Sequence, residues 1–280
     1  MRILVTGGSG YLGTHVCRFF NADNFSRRTG RDILSEEDVK AAADYDAVIH
    51  LAAHLDKDPA AAELCFRTNA DGAANVVKNL KPNAAFIYAS TRDVYGTNPN
   101  TFTAVPETCS TEFDGQTALE WSKLIGERYV EYFAKMRGVR ACIFRMSTVY
   151  ARPSDGNESG FVTHYVESVK HRWPIHLPMN GQVVRDILHV DDFSRACEAF
   201  IDSAQPRGLY NLGGGAANSS TLRELVDTIG NLIEIDPQTI DEPALPPNTP
   251  LRYVTDLTHI KEELGWQPQI GIEAGLQSLI

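Results

Sequence analysis

Gly7, Gly10 and Gly13 stand three residues apart in the segment Thr6-Gly7-Gly8-Ser9-Gly10-Tyr11-Leu12-Gly13, directly after the apolar run Ile3-Leu4-Val5. Gly8, Gly10 and Gly13 satisfy a second spacing, G-x-G-x-x-G, and a helical pattern follows. Glycine is needed here because one turn must be tight and one stretch of backbone must approach a pyrophosphate without a Cβ in the way. The helix that opens next then aims its free N–H groups at the phosphates. Strand, glycine turn and helix together read as a dinucleotide site. A ribose-binding acid is expected about twenty residues on. The segment there is Asp23-Asn24-Phe25-Ser26-Arg27-Arg28, with no acid after the short apolar stretch. Arg27 and Arg28 can instead meet a 2′-phosphate with charge-assisted bonds. The cofactor expected is therefore NAD(P), with a lean to NADP(H). Asp32 and Ile33 are placed to flank the adenine.

Other reactive side chains are scattered. His50, His164 and His189 share no zinc-ligand spacing such as H-E-x-x-H, so no metal site is expected. His50 ends an apolar run and His189 precedes a helical pattern, which suits hydrogen-bonded structural roles. The five cysteines lie 33 to 55 residues apart, with no C-x-x-C pair, as in a reducing compartment. A net charge of −10 argues against a polyanionic partner, so nucleic acid is excluded. No apolar run reaches 18 residues, and Met1-Arg2 leads straight into Ile3-Leu4-Val5 without a charged leader. No membrane association and a cytoplasmic location are expected.

The elements that must position these residues alternate. Strand patterns cover 2–6, 47–53, 85–89 and 140–145, with helical patterns at 60–80 and 117–136 and a capped helix start at 35–38. This rhythm predicts a doubly wound parallel α/β sheet, a Rossmann fold, over 1–150. Beyond 150 the prolines at 153, 174, 178, 206, 237 and 243–250 break shorter elements. Residues 151–280 are expected to form mainly a smaller α/β substrate-binding lobe. The helix near 189–204, with Phe193, Ala196, Cys197, Phe200 and Ile201 on one face, goes back to the first domain.

Ten motifs occur in order: TGGSGYLG (6–13), HLAA (50–53), NADGAAN (69–75), ASTRDVYG (89–96), WSKLIGE (121–127), RMSTVYARP (145–153), VRDILHVDD (184–192), YNLGGG (210–215), LRYVTD (251–256) and LGWQP (264–268). Together they resemble the extended short-chain dehydrogenase/reductase family of nucleotide-sugar epimerases, dehydratases and 4-ketoreductases. The resemblance implies cofactor contacts from Gly7, Gly10, Tyr11, Leu12, Gly13, Leu51, Ala52, Ala53 and Lys123. It implies that Thr91 hydrogen-bonds the sugar's C4 oxygen and that Lys123 orients the nicotinamide ribose. It further implies sugar-nucleotide contacts from Thr148 and the 161–165 segment, and diphosphate contacts from Arg185 and Arg252.

One position departs from the pattern. The family's catalytic tyrosine, four residues before the lysine, is Leu119 here, and leucine carries no proton. Asp93 is the first candidate to replace it, since it shares a segment with Thr91; Cys109, Glu120, Tyr95 and His164 are the others. Dehydratases carry Asp-Glu directly after the threonine. Arg92-Asp93 stands there instead, and a guanidinium is no acid, which disfavours 4,6-dehydration. The reaction expected is hydride movement at C4 of a nucleoside-diphosphate sugar by an epimerase with an atypical proton donor. An NADPH-dependent 4-ketoreductase is the alternative. A protein that binds dinucleotide and nucleotide-sugar without turnover is the reading from another class. The family also pairs the helices at 60–80 and 117–136 into a homodimer, and Trp121, Leu124, Ile125, Tyr129 and Phe133 recur at helical spacing there.

Overall fold

The structure, a computed structural model, describes residues 1–153 and 160–280. Strands β1 (Ile3–Thr6), β2 (Asp23–Phe25), β3 (Ala47–His50), β4 (Ala85–Thr91) and β5 (Arg140–Met146) lie in one sheet. β6 (Thr148–Tyr150), β7 (Ile175–Pro178) and β8 (Val184–His189) leave it, and β9 (Arg207–Leu212) returns as its sixth strand. The order is β2-β1-β3-β4-β5-β9, parallel throughout. The chain moves outward from β1 to β2 and then crosses back to β3. This reversal opens a crevice at the carboxyl ends of β1 and β3.

Alternation along the strands builds two cores. Val5, Ile49, Ile87 and Cys142 face one side, against Phe193, Ala196 and Phe200 of a crossover helix. Leu4, Val48, Phe86 and Ala141 face the other, against Val76, Val77, Val130 and Ala134. In chain order the α-helices of the described residues are α1 (Gly13–Phe20), α2 (Glu36–Val39), α3 (Ala62–Cys65), α4 (Gly72–Lys78), α5 (Ala118–Arg137), α6 (Phe161–His171), α7 (Val190–Asp202), α8 (Leu222–Ile233), α9 (Thr258–Leu264) and α10 (Ile272–Gln277). α7 covers the first face and α4 with α5 the second.

The helix expected over 60–80 is one helical run with a wide π turn at Phe66–Asp71. Asn69 occupies that turn, where its amide bonds the His54 backbone in both directions and reaches Ser122. The strand expected over 47–53 ends at His50, because Leu51 turns to donate its N–H to the Thr6 carbonyl at 3.0 Å. That turn delivers 51–53 to the crevice.

The second lobe centres on β8, flanked by β6, the antiparallel β10 (Ser219–Thr221) and the parallel β12 (Arg252–Tyr253), while β11 (Thr239–Glu242) pairs with β7. α6 and α8 close its own core of Val162, Val166, Leu225 and Ile229. Besides α7, the strand β9 and the side chains Ile260 and Trp266 join the first domain, because the right-handed crossover through α7 must deposit its following strand in the same sheet.

Candidate active site

Gly7 lies in the left-handed region at φ +72°, and a Cβ there would stand 2.7 Å from the Ala52 nitrogen. The glycine turn therefore packs directly on the backbone after β3. Gly10 closes it by donating to the Gly7 carbonyl at 2.8 Å, and Gly13 opens α1. A cavity of about 260 Å³ beside this turn is lined by Gly7, Ser9, Gly10 and Ser26, by Arg27 and Arg28, by Asp32 and Ile33, and by Leu51, Ala52 and Ala53. Arg31 lines it too, a third guanidinium that the sequence reading did not single out. β2 is only three residues long, so the chain turns through a short 3-10 helix at Arg27–Thr29 and brings all three arginines back to the cavity. The Asp32 carboxylate accepts the Leu34 N–H at 2.9 Å, which fixes the adenine-side loop. Backbone without Cβ at the turn, hydroxyls at Ser9 and Ser26 and cations at the rim fit a dinucleotide.

A second cavity, of about 480 Å³, continues from the same glycines. Gly10, Tyr11, Leu12 and Gly13 form one wall; Thr91, Asp93, Leu119, Lys123 and Thr148 form another. Leu55, Met146, Val149 and Phe161 complete it with apolar surface that no local motif announced. The Tyr11 hydroxyl donates to the Ala151 carbonyl at 2.7 Å, accepts the Ala151 N–H at 2.8 Å and lies 2.9 Å from the Thr163 hydroxyl. One side chain of the glycine turn thus fastens the second lobe over the first.

Thr117 caps α5 and Glu120 answers as the third residue of the helix, which sets the register of everything after it. In that register Leu119 and Lys123 share a helix face and line the same cavity. Lys123 is buried. Its ammonium donates to the Ala89 carbonyl at 2.7 Å and stands 5.1 Å from the Tyr88 ring centroid. Burial pushes it down to about 8, against the pull of Glu127. Thr91 ends β4, and its hydroxyl oxygen accepts the Asp93 N–H at 3.1 Å.

Among the five candidates to replace the tyrosine, Asp93 alone reaches this cavity. Burial pushes Asp93 up, but Arg92, Lys57 and Arg185 outweigh it and hold the carboxyl below its ordinary value, leaving no proton to give at neutral pH. The Tyr95 hydroxyl donates to Asn211 at 2.7 Å and accepts from Arg145 at 3.0 Å, and burial pushes it up to about 12. Cys109 sits in a separate cluster with Val94, Val105 and Tyr253, where burial pushes the thiol up to about 11. The Glu120 carboxylate is held by Thr117 and by Lys57 at 2.7 Å. His164 is exposed on α6. Neither expected diphosphate arginine lines this cavity, although Arg185 acts on the Asp93 carboxyl from behind its wall. Arg185 donates to the carbonyls of Val184 and Pro250, and Arg252 to that of Thr103.

The histidines have structural roles. His50 is buried with Nδ1 2.9 Å from the Thr6 hydroxyl, and burial pushes it down to about 3. His189 accepts the Asp191 N–H at the start of α7.

Comparison with known proteins agrees with this architecture. The sequence model described as the NAD dependent epimerase/dehydratase family matches residues 3–213. CDP-paratose 2-epimerase of Salmonella typhi is 26% identical, with all of this chain and 98% of that protein covered. A dTDP-glucose 4,6-dehydratase of Streptomyces griseus is also 26% identical, covering 99% and 92%. The crystal structure of UDP-glucose 4-epimerase from Thermotoga maritima with UDP-glucose superposes with a TM-score of 0.84 at 25% identity, over 99% of this chain and 97% of that one. A parallel sheet of this order, a glycine turn at its switch point and a family match over three quarters of the residues lead to one assignment: the chain belongs to the NAD dependent epimerase/dehydratase family.

Proposed function

We propose that the protein moves hydride at C4 of a nucleoside-diphosphate sugar, using a nicotinamide dinucleotide held by the glycine turn. The observation that carries this reading is the continuous cavity in which Gly10 and Gly13 share walls with Thr91, Lys123 and Thr148. The nicotinamide supplies the hydride acceptor and donor. Thr91 hydrogen-bonds the C4 oxygen, Lys123 orients the nicotinamide ribose and Thr148 faces the sugar. Asp93, held as a carboxylate by its three cations, has no proton to give the C4 oxygen. Epimerisation at C4 is the first reading, in line with the 4-epimerase named for the Thermotoga maritima structure.

A second reading has its own observation. Arg27, Arg28 and Arg31 all line the adenosine end, where a 2′-phosphate would sit, and NADPH suits net reduction of a 4-keto sugar. Adding UDP-, dTDP- and CDP-linked hexoses and their 4-keto forms with each dinucleotide separates the two. Epimerisation changes the sugar with no net change in dinucleotide absorbance, whereas reduction consumes NADPH. A protein that binds both ligands and changes neither would be a binding protein.

We also propose a homodimer through α4 and α5, where Tyr129, Tyr132 and Met136 are exposed to 38%, 60% and 66%. That apolar surface is more than a helix end needs.

A further inference from the structure

A hydride cannot leave or reach C4 unless a proton moves on the C4 oxygen, and Leu119 removes the group that would carry it. Tyr95, Cys109 and Glu120 are committed to partners elsewhere, His164 is exposed outside the cavity, and Asp93 has no proton to give. Three further hydroxyls of the cavity lining are also committed, Tyr11 to the Ala151 carbonyl, Ser90 to Glu127 and Ser147 to Asp186, which leaves the Thr91 and Thr148 hydroxyls and the Lys123 ammonium, fixed on the Ala89 carbonyl two residues before Thr91. An unassisted hydroxyl is far too weak an acid and base to serve alone.

We propose that Lys123 itself, anchored on Ala89 and facing the cavity beside Leu119, exchanges the proton with the sugar's C4 oxygen in place of the absent phenol. This inference rests on the reading that the site moves hydride at C4. In the oxidative direction a bound nicotinamide would take the C4 hydrogen with its bonding electron pair. The hydroxyl proton passes to the neutral Lys123 amine, giving ammonium, and the C4–O bond becomes a carbonyl. In the reductive direction the ammonium returns that proton as hydride arrives, and Thr91 keeps the oxygen in place by hydrogen bonding.

The surroundings suit both directions. An ammonium has three protons, and one of them holds Ala89. The titratable groups facing it are Glu127 one turn further along α5, Tyr88 on β4 and His50 on β3. His50 is neutral and Tyr88 is pushed up by burial, so neither changes charge near neutral pH. Burial therefore brings the Lys123 ammonium from the ordinary lysine range to within reach of neutral pH, where a general acid or base works best. Leu119 then has a role of its own, as the apolar neighbour that keeps this amine dry.

The test uses the dinucleotide-bound protein. Direct observation of the Lys123 Nζ titration by heteronuclear NMR should give a midpoint near 8, and wild-type kcat/KM for reduction should fall above the same midpoint. Lys123→Arg keeps a cation and its donors but cannot release a proton. It should still bind dinucleotide and lose about 100-fold or more in kcat, the ordinary contribution of a positioned acid. If Lys123→Arg is not folded, the wild-type titration and pH profile decide by themselves. A Lys123 midpoint at the ordinary lysine value, a rate flat across that pH range, or Lys123→Arg turnover within tenfold of wild type would overturn the proposal. A wild type that binds dinucleotide and acts on no nucleotide-linked sugar sinks the functional reading and this inference with it. A wild type that turns over alongside an equally active Lys123→Arg sinks the inference alone.

Discussion

Leu119 and Lys123 stand one helical turn apart on α5 and line a single cavity, so an aliphatic side chain lies where a proton donor would sit beside a buried amine. Leu119→Tyr places a phenol in that position. If Lys123 already carries the proton, the variant should change turnover by less than about tenfold, in either direction. A chain that merely lacks a donor should gain about 10²- to 10⁴-fold. Steady-state kinetics on the same nucleotide-linked sugar separates the two outcomes.

The adenosine end can be tested without turnover. Arg27→Ala with Arg28→Ala should weaken NADP(H) binding by about one to two decades, from loss of charge-assisted bonds worth about 1.5–3 kcal/mol, and leave NAD(H) nearly unchanged. Adding Arg31→Ala should deepen the difference, since Arg31 lines the same cavity. Calorimetric titration with both dinucleotides reads it, and equal losses for the two would reject the 2′-phosphate assignment.

His50 gives a pH dependence of stability. Burial pushes its imidazole down to about 3 in the folded protein. Below about 6.5 the unfolded chain binds a proton there that the folded chain does not, so stability falls as pH falls from about 6.5 towards 3, by about 1.4 kcal/mol per pH unit from this group. Urea denaturation at pH 5 and pH 7 should show a smaller difference in His50→Asn than in wild type. An unchanged difference would assign the slope to other groups.

On the buried face of α5, the Glu127 carboxylate accepts from Arg145 at 2.7 and 3.0 Å, with the two side chains 0% and 4% exposed. Glu127→Leu leaves a guanidinium buried without its carboxylate and should cost about 3–5 kcal/mol, whereas Glu127→Leu with Arg145→Met should cost less than the single change. Chemical denaturation of the three proteins checks this, and simple additivity of the two changes would count against a coupled pair.

Local sequence carried the glycine turn, because strand, turn and helix are contiguous there, whereas the family resemblance singles out Thr91, Lys123 and Leu119, and 3.6-residue periodicity only adds that 119 lies beside 123. Three features were not legible. Arg31 was missed because β2 is too short to mark where its following turn returns to the cavity. The Tyr11 hydroxyl clasps Ala151 and Thr163 across 140 and 152 residues of sequence, a pairing no spacing rule encodes. The acceptors that Arg185 and Arg252 take, the carbonyls of Val184 and Pro250 and that of Thr103, are set by tertiary packing that no motif states.

The account turns on hydride movement at the sugar's C4. The protein should be mixed with its dinucleotide and with UDP-, dTDP- and CDP-linked hexoses carrying deuterium at C4, and the label followed by NMR and mass spectrometry. The account predicts that deuterium leaves C4 for the nicotinamide, and either returns with inverted configuration or remains on the reduced dinucleotide. Deuterium that stays on C4 with its configuration unchanged in every sugar, in a protein shown to bind dinucleotide, would contradict it.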